Sequence, residues 1–427
     1  MKSAHEVYDE AAKVWNPNKV DIFRGFGMEM AMGERSGCRF KDLDGKTYIN
    51  MHSNGGVFNL GHRNPEVMQA LIGGVQKVDA GNHYFPSEYK NRLCEQLLAV
   101  SPSYMKYVYM SCGGGESIDA AVKFARYATK RKRVISLDCA FHGSTGIAMA
   151  CSNPVFSEFW NMPADPDLYS KVPYNDLNAL EDILKKNDTA AVLIESIPAT
   201  AGFPLPRQGY LKGAAELAHR YGALYIADEV QTGLMRSGQM WCCVKYGAEP
   251  DMIVTGKGLS GGYYPMSAVI MNEKSGSWLH KDGFAQVASF TASEIGCIVS
   301  SKVMEILTRP STKENVDHLT SLFAEGLPKI QAKHKNFLTE IRQCGVIMGL
   351  KTSHPYGGAA LMVSLIQRGV WAVFADYDKG ALQFKPGLLM DEETAREVLA
   401  TLDLALSDAE GLVRKVPLEE MEKRAAI

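Results

Sequence analysis

The chain has 427 residues, with 46 basic and 48 acidic side chains for a net charge of −2. That length exceeds one ordinary hydrophobic core and predicts two or three domains, and the even charge balance leaves no basic surface for nucleic acid. The start, MKSAHEVYDE, has no apolar signal region, no segment approaches a membrane span, and nine cysteines without a CxxC pair point to reduced thiols in the cytoplasm and to no metal site.

The first 37 residues are mixed, with an amphipathic start and a loop around Asn16-Pro17-Asn18. CRFKDLDGKTYIN predicts a hairpin, because Asp44-Gly45 is a strong two-residue turn signal between β-rich runs. In SNGGVFNLGHRNPEV, Asn64 caps a helix that Pro65 opens, and His62 is read as a histidine that fixes this loop. AGNHYFPSEY places His83, Tyr84 and Phe85 ahead of a helix capped by Ser87.

YVYMSCGGGESIDAAVKFARYATKR is strand, glycine loop and helix. Backbone amides at a helix N-terminus bind an anion, and Gly113-Gly114-Gly115 lets the anion approach closely. The loop is neither G-x-G-x-x-G nor a Walker motif, so a dinucleotide and a nucleoside triphosphate are both poor fits. RVISLDCAFHGST adds a buried strand that ends at Phe141-His142-Gly143. Residues 151–172, rich in proline and aromatics, are read as a covering loop near a substrate entrance. AAVLIESIPATAGFPLP is a further strand, carrying Glu195, with an irregular loop behind it.

Leu224-Tyr225-Ile226-Ala227 and Met252-Ile253-Val254 read as buried parallel strands, one ending in Asp228-Glu229 and the other at Lys257. In an open α/β sheet the ligand sits beyond the carboxyl ends of the strands, so Asp228 and Lys257 can face one pocket. A lysine in a dry site loses its proton and attacks a carbonyl, while a buried aspartate keeps its charge beside a protonated pyridine nitrogen. That pairing suits pyridoxal phosphate. From about Pro310 the pattern changes to amphipathic helices, with a strand near Leu338–Ile341.

DEVQTGLMRSG and TGKGLSGGYYPMSAV resemble the DEVQTGFGRTG and GKxLGGGxPxGAV stretches of class III aminotransferases, the ornithine, 4-aminobutyrate and glutamate-1-semialdehyde type. Further pieces extend the resemblance from about Asp42 to the C-terminus, among them SCGGGES, AFHGST, VPYND, QVASFTASEIGC and LQFKPGLLMDEE. The resemblance implies fold type I: a large α/β domain with a mostly parallel seven-stranded sheet, and a smaller α+β domain built from both chain ends. The corresponding division is 1–60 for the N-terminal segment, 61–310 for the large domain and 311–427 for the C-terminal small domain.

It implies pyridoxal 5′-phosphate as cofactor, held by Lys257 as a Schiff base, with Asp228 on the ring nitrogen. Phe141 and Val230 would sandwich the ring and Gln231 would meet its phenolic oxygen, with His142 also a cofactor-site residue. Gly114 and Gly115 would take the phosphate, and Gly115 departs from the family, which usually has Thr or Ser there. Ser289 or Thr291 would reach the phosphate of a neighbouring subunit, which implies a homodimer with shared active sites. Tyr84 would line the substrate pocket. Glu195 matches the family's first glutamate, while Thr200 replaces the second, and Gln383 replaces an arginine that grips the substrate carboxylate in many relatives. Amino transfer from an amine-type donor without a neighbouring carboxylate to a carbonyl acceptor is the leading expectation. Arg24, Arg39 and Lys385 are the alternative cations for a carboxylate. A PLP-dependent isomerase, either aminomutase or epimerase, is the alternative function, and a Rossmann-like binding protein without catalysis is a third reading.

Overall fold

The computed structural model describes residues 2–416, which form two compact units. Of the described residues, one unit comprises 2–64, Thr200–Pro204 and 314–416, and the other Pro65–Ala199 and Leu205–Lys313.

The second unit is organised around a seven-stranded sheet. By first residue, the strand order is Met105, Ser267, Met252, Leu224, Thr189, Arg133, Tyr169. Six of these strands run in one direction, and Ser267–Asn272 is antiparallel to both of its neighbours, Met105–Ser111 and Met252–Thr255. Strands Arg133–Leu137, Thr189–Glu195, Leu224–Asp228 and Met252–Thr255 are buried at every position. Helices on both faces demand this, so the strands read as continuous apolar runs rather than alternating ones. The helix Gly114–Thr129 packs Ile118, Val122 and Ala125 on the sheet, where they meet Leu193, Ile226 and Val254 in one core cluster.

The first unit holds two four-stranded sheets. The expected hairpin is Arg39–Asp42 with Thr47–Asn50, and Gly45 turns it at φ +91°, a conformation open to glycine. The second sheet pairs Leu338–Cys344, Ile347–Thr352, Ala381–Phe384 and Val373–Phe374, and the long helix Glu392–Lys415 closes the described chain.

Two local expectations differ from the structure. Asn16-Pro17-Asn18 is not a loop: Asn16 accepts from Lys19 N at 3.0 Å and Pro17 opens the helix Pro17–Gly25. Asn followed by Pro serves a turn and a helix start equally well, and the amphipathic residues behind it decide for the helix. Residues 151–172 are not one loop either. They contain a short helix, Pro154–Glu158, and end in the edge strand Tyr169–Val172. Phe159 and Trp160 between them stay exposed. Among the described residues no helix is long and apolar enough to cross a membrane, and the nine cysteines stand as thiols.

Candidate active site

The chemistry-bearing residues of the second unit collect at the carboxyl ends of three adjacent strands. Glu195 and Asp228 are register partners on neighbouring parallel strands, and Asp228 pairs in turn with Val254, three residues before Lys257. Both carboxylates are buried, Glu195 at 6% and Asp228 at 5% exposure. Lys257 begins a short 3₁₀ turn, Lys257–Ser260, with φ at +43°. A lysine in the left-handed region is strained, and such strain persists only where the surroundings over-determine it.

Each group has a defined electrostatic setting. Burial pushes the Lys257 ammonium below its ordinary range, and Arg236 adds to that, while Glu195 and Asp228 pull it back up. Burial, with the charge of Asp228 beside it, pushes the Glu195 carboxyl well above the usual carboxylate range. Glu195 Oε1 accepts from Phe141 N at 2.8 Å and its Oε2 from Ala199 N at 3.4 Å. Asp228 Oδ1 accepts from Val230 N at 3.0 Å, and its Oδ2 lies 2.7 Å from His142 Nδ1. An ionised carboxylate only accepts, so His142 carries its proton on Nδ1 in this contact. His142 Nε2 is buried with no protein partner. The histidine therefore orients Asp228.

Glu229, next along the strand end, does structural work. It is buried, and burial raises its carboxyl despite the four donors it accepts. Oε1 takes Ser196 Oγ and Cys243 N, and Oε2 takes Thr232 Oγ1 and Cys242 N. The loop that carries Val230 and Gln231 is anchored at both ends by this side chain. Sequence reasoning assigned Glu229 no task. The only available signal was an acid at the end of an apolar run followed by two consecutive cysteines.

The glycine loop lies against the same site. A Cβ on Gly114 would stand 3.1 Å from Val230 Cγ1, and one on Gly256 would stand 3.6 Å from that atom. Gly113 caps the helix Gly114–Thr129 with no side chain, so the first-turn amides have no side-chain acceptor. Phe141 is half-buried, with Phe156 edge-on at 5.0 Å, and Gln231 is half-buried in the Glu229-anchored loop. An amine, a buried carboxylate, a half-buried ring and an uncapped helix N-terminus lined by glycines are the donor set that pyridoxal phosphate needs.

The remaining sequence candidates have surroundings of their own. Tyr84 is 63% exposed and rests on His83 and Phe284. Ser289 is exposed, whereas Thr291 is buried and donates its hydroxyl to Ala288 O at 2.6 Å. Thr200 and Gln383 belong to the first unit. There Thr200 O accepts from Tyr377 N at 2.8 Å, and Gln383 Oε1 accepts from the buried Lys385 ammonium. Arg24 pairs with Asp9 and Glu29, and Arg39 with Glu397. His62 is the loop-fixing histidine of the sequence reading, buried between Phe58 and Phe40 and 2.8 Å from Asn50 Nδ2. Its burial lowers its pKa to about 4.

Comparison with known proteins concerns the chain as a whole. The chain is 39% identical over 400 residues to an uncharacterized aminotransferase of Archaeoglobus fulgidus, covering 92% of this chain and 93% of that protein. It is 29% identical over 368 residues to a putrescine aminotransferase of Pectobacterium atrosepticum, covering 84% and 78%. The fold matches the ornithine aminotransferase of Toxoplasma gondii at a TM-score of 0.87 and 22% identity, over 96% of this chain and 97% of that one. The family model for class-III aminotransferases matches residues 25–406, so the chain belongs to that family: it is a fold-type-I aminotransferase whose cofactor is pyridoxal phosphate.

Proposed function

We propose that the amino donor is an amine with no carboxylate beside the reacting carbon, such as the terminal amine of a diamine, and that the acceptor is a small carbonyl compound. What supports this is the joint absence of two side chains that the family resemblance expects: by that resemblance Gln383 takes the place of the carboxylate-gripping arginine, and Thr200 that of the glutamate that neutralises it. A glutamate left alone in a closing site would be an unpaired buried charge, so the two losses belong together. The Gln383 amide, already bonded to Lys385, cannot imitate a bidentate guanidinium. The putrescine aminotransferase among the relatives acts on a donor of this class by name.

Bound at this site, pyridoxal phosphate supplies an electron sink for the carbanion at the substrate carbon that bears nitrogen. Lys257 would be the amine that holds it and the base for the proton on that carbon. Burial lowers the cost of deprotonating Lys257 Nζ. Asp228 holds the proton on the ring nitrogen, and His142 keeps the Asp228 carboxylate in its orientation. Phe141 and Val230 would cover the two ring faces, Gln231 would meet the phenolic oxygen, and Gly114 and Gly115 would supply phosphate amides.

We further infer a homodimer in which exposed Ser289 reaches the partner's phosphate, with Thr291 fixing the loop through Ala288. Tyr84, exposed on its own chain, lines the shared substrate entrance. The domain reading stays 1–60 with 311–427 as the small domain and 61–310 as the cofactor domain, in the cytoplasm. The test of the substrate class is a panel of half-reactions with L-glutamate, L-alanine, diamines and simple amines, following loss of the aldehyde absorbance. Diamines should react faster. Fast conversion by glutamate, unaffected by Gln383→Ala, would refute the class.

A further inference from the structure

The family resemblance expects Thr or Ser at position 115, adding a hydroxyl to the phosphate, and this chain has glycine. The structure shows what occupies the vacated space. A Cβ on Gly115 would lie 2.9 Å from Thr145 Oγ1 and 3.4 Å from Thr145 Cγ2, with Gly143 Cα at 3.6 Å. Conversely, a Cβ on Gly143 would lie 2.7 Å from Gly115 Cα, and Gly143 has a φ of +134°. The turn from Phe141 to Thr145 is thus pressed directly onto the first turn of the helix Gly114–Thr129. No side chain fits at position 115 unless Thr145 moves.

Thr145 has its hydroxyl to spare. It occupies the N-cap position of the short helix Gly146–Cys151, and its carbonyl accepts from Met149 N at 2.7 Å, yet its side chain caps nothing there. It is exposed. It stands beside the uncapped amides of a sixteen-residue helix whose N-cap, Gly113, has no side chain. A hydroxyl unused by its own helix and held at the anion-binding end of another is placed to serve the anion.

We propose that Thr145 supplies to the cofactor phosphate the hydroxyl that Gly115 lacks, so that one hydrogen-bond donor has moved between two loops that touch. Gly115 is then required by Thr145, because the two side chains compete for one volume. The proposal rests on pyridoxal phosphate binding at this site, and its test separates the two claims.

The full-length apoprotein is titrated with pyridoxal phosphate and with pyridoxal, which has the same ring and no phosphate, following the absorbance of the bound ring. A hydroxyl donating to a charged acceptor contributes roughly tenfold to a hundredfold in affinity. Thr145→Val should weaken pyridoxal phosphate by that factor and leave pyridoxal within about twofold, and should move the ³¹P resonance of the bound cofactor. Thr145→Ser should match the parent. Gly115→Ser alone should bind less tightly, because its side chain meets Thr145, and Gly115→Ser with Thr145→Ala should bind more tightly than Thr145→Ala alone. Unchanged phosphate-dependent affinity in Thr145→Val overturns the proposal, as does an equal loss for both ligands, which would mean that Thr145 only shapes the loop. If Thr145→Val does not fold, the Gly115→Ser/Thr145→Ala comparison decides, and no gain over Thr145→Ala overturns it. Failure of the parent protein to bind pyridoxal phosphate would instead overturn the cofactor reading.

Discussion

Glu229 offers the most direct check on how the site is built. Its two oxygens each accept one backbone amide and one hydroxyl, from Cys243 and Ser196 on one side and from Cys242 and Thr232 on the other. In Glu229→Ala all four donors lose their acceptor. The two hydroxyls can rotate to other partners, but the amides of Cys242 and Cys243 sit in buried residues and cannot. At about 1–3 kcal/mol for each stranded amide, the loss is roughly 2–6 kcal/mol. Release of a carboxylate that burial already disfavours offsets part of this. Glu229→Gln keeps one acceptor oxygen and presents NH₂ to one amide, so it strands a single group and costs about 1–3 kcal/mol. With a shift of about 2–4 °C per kcal/mol for a unit of this size, the alanine variant should melt roughly 4–24 °C lower and the glutamine variant about half as far. The assay is thermal unfolding of the apo form, paired with a titration of pyridoxal phosphate. The cofactor should bind more weakly in both variants, because Val230 and Gln231 ride on the released loop. An alanine variant that melts within about 1 °C of the parent and binds cofactor normally would refute this account.

Three further outcomes are expected. Borohydride reduction followed by peptide mapping should place the phosphopyridoxyl group on Lys257, and Lys257→Ala should lose turnover; label on Lys245 would show that the assignment is wrong. Asp228→Asn should keep the fold and slow turnover by about a hundredfold, the equivalent of ~3 kcal/mol, measured as kcat in single-turnover kinetics; near-normal turnover would put the ring nitrogen's partner elsewhere. Glu195 has a folded-state pKa above its ordinary 4.5, so the native state keeps a proton that the unfolded chain has released, and this group's contribution to stability falls as pH rises through that window. Glu195→Gln should therefore flatten the decline in apo-form stability from about pH 4.5 upward; an unchanged slope would count against a raised Glu195.

Which parts of this were legible in the sequence follows from the range of the interactions. Lys257 and Asp228 could be picked out because each ends a continuous apolar run, and a buried parallel strand leaves that signature. The task of His142 could not, since its partner Asp228 is 86 residues away and only the sheet order brings them together. The same holds for Glu195 and Phe141, 54 residues apart. The misreadings were local ones. Asn16-Pro17 fits a turn as well as a helix start, and the proline-rich run of residues 151–172 hides a strand that becomes visible only when Arg133–Leu137 pairs with it. Gly115 shows a third case: the sequence revealed a missing hydroxyl, but not that another loop brings Thr145 to the same place.

The two carboxylates at neighbouring strand ends carry the last step. Placing Glu195 and Asp228 in register on adjacent strands puts like charges side by side in a buried site, which raises the cost of charging both. The structure treats them differently. Asp228 has a donor on each oxygen, one of them an imidazole. Glu195 has only backbone amides, one of them at 3.4 Å, and burial together with the neighbouring charge pushes it toward its neutral form. A neutral Glu195 can still accept from Phe141 N, so it keeps Phe141 in place without adding a second negative charge. Asp228 would then be the charge left to face a protonated ring nitrogen. On this argument the first glutamate of the family motif holds the aromatic in position, and the division of labour between the two acids follows from which hydrogen bonds each strand end receives.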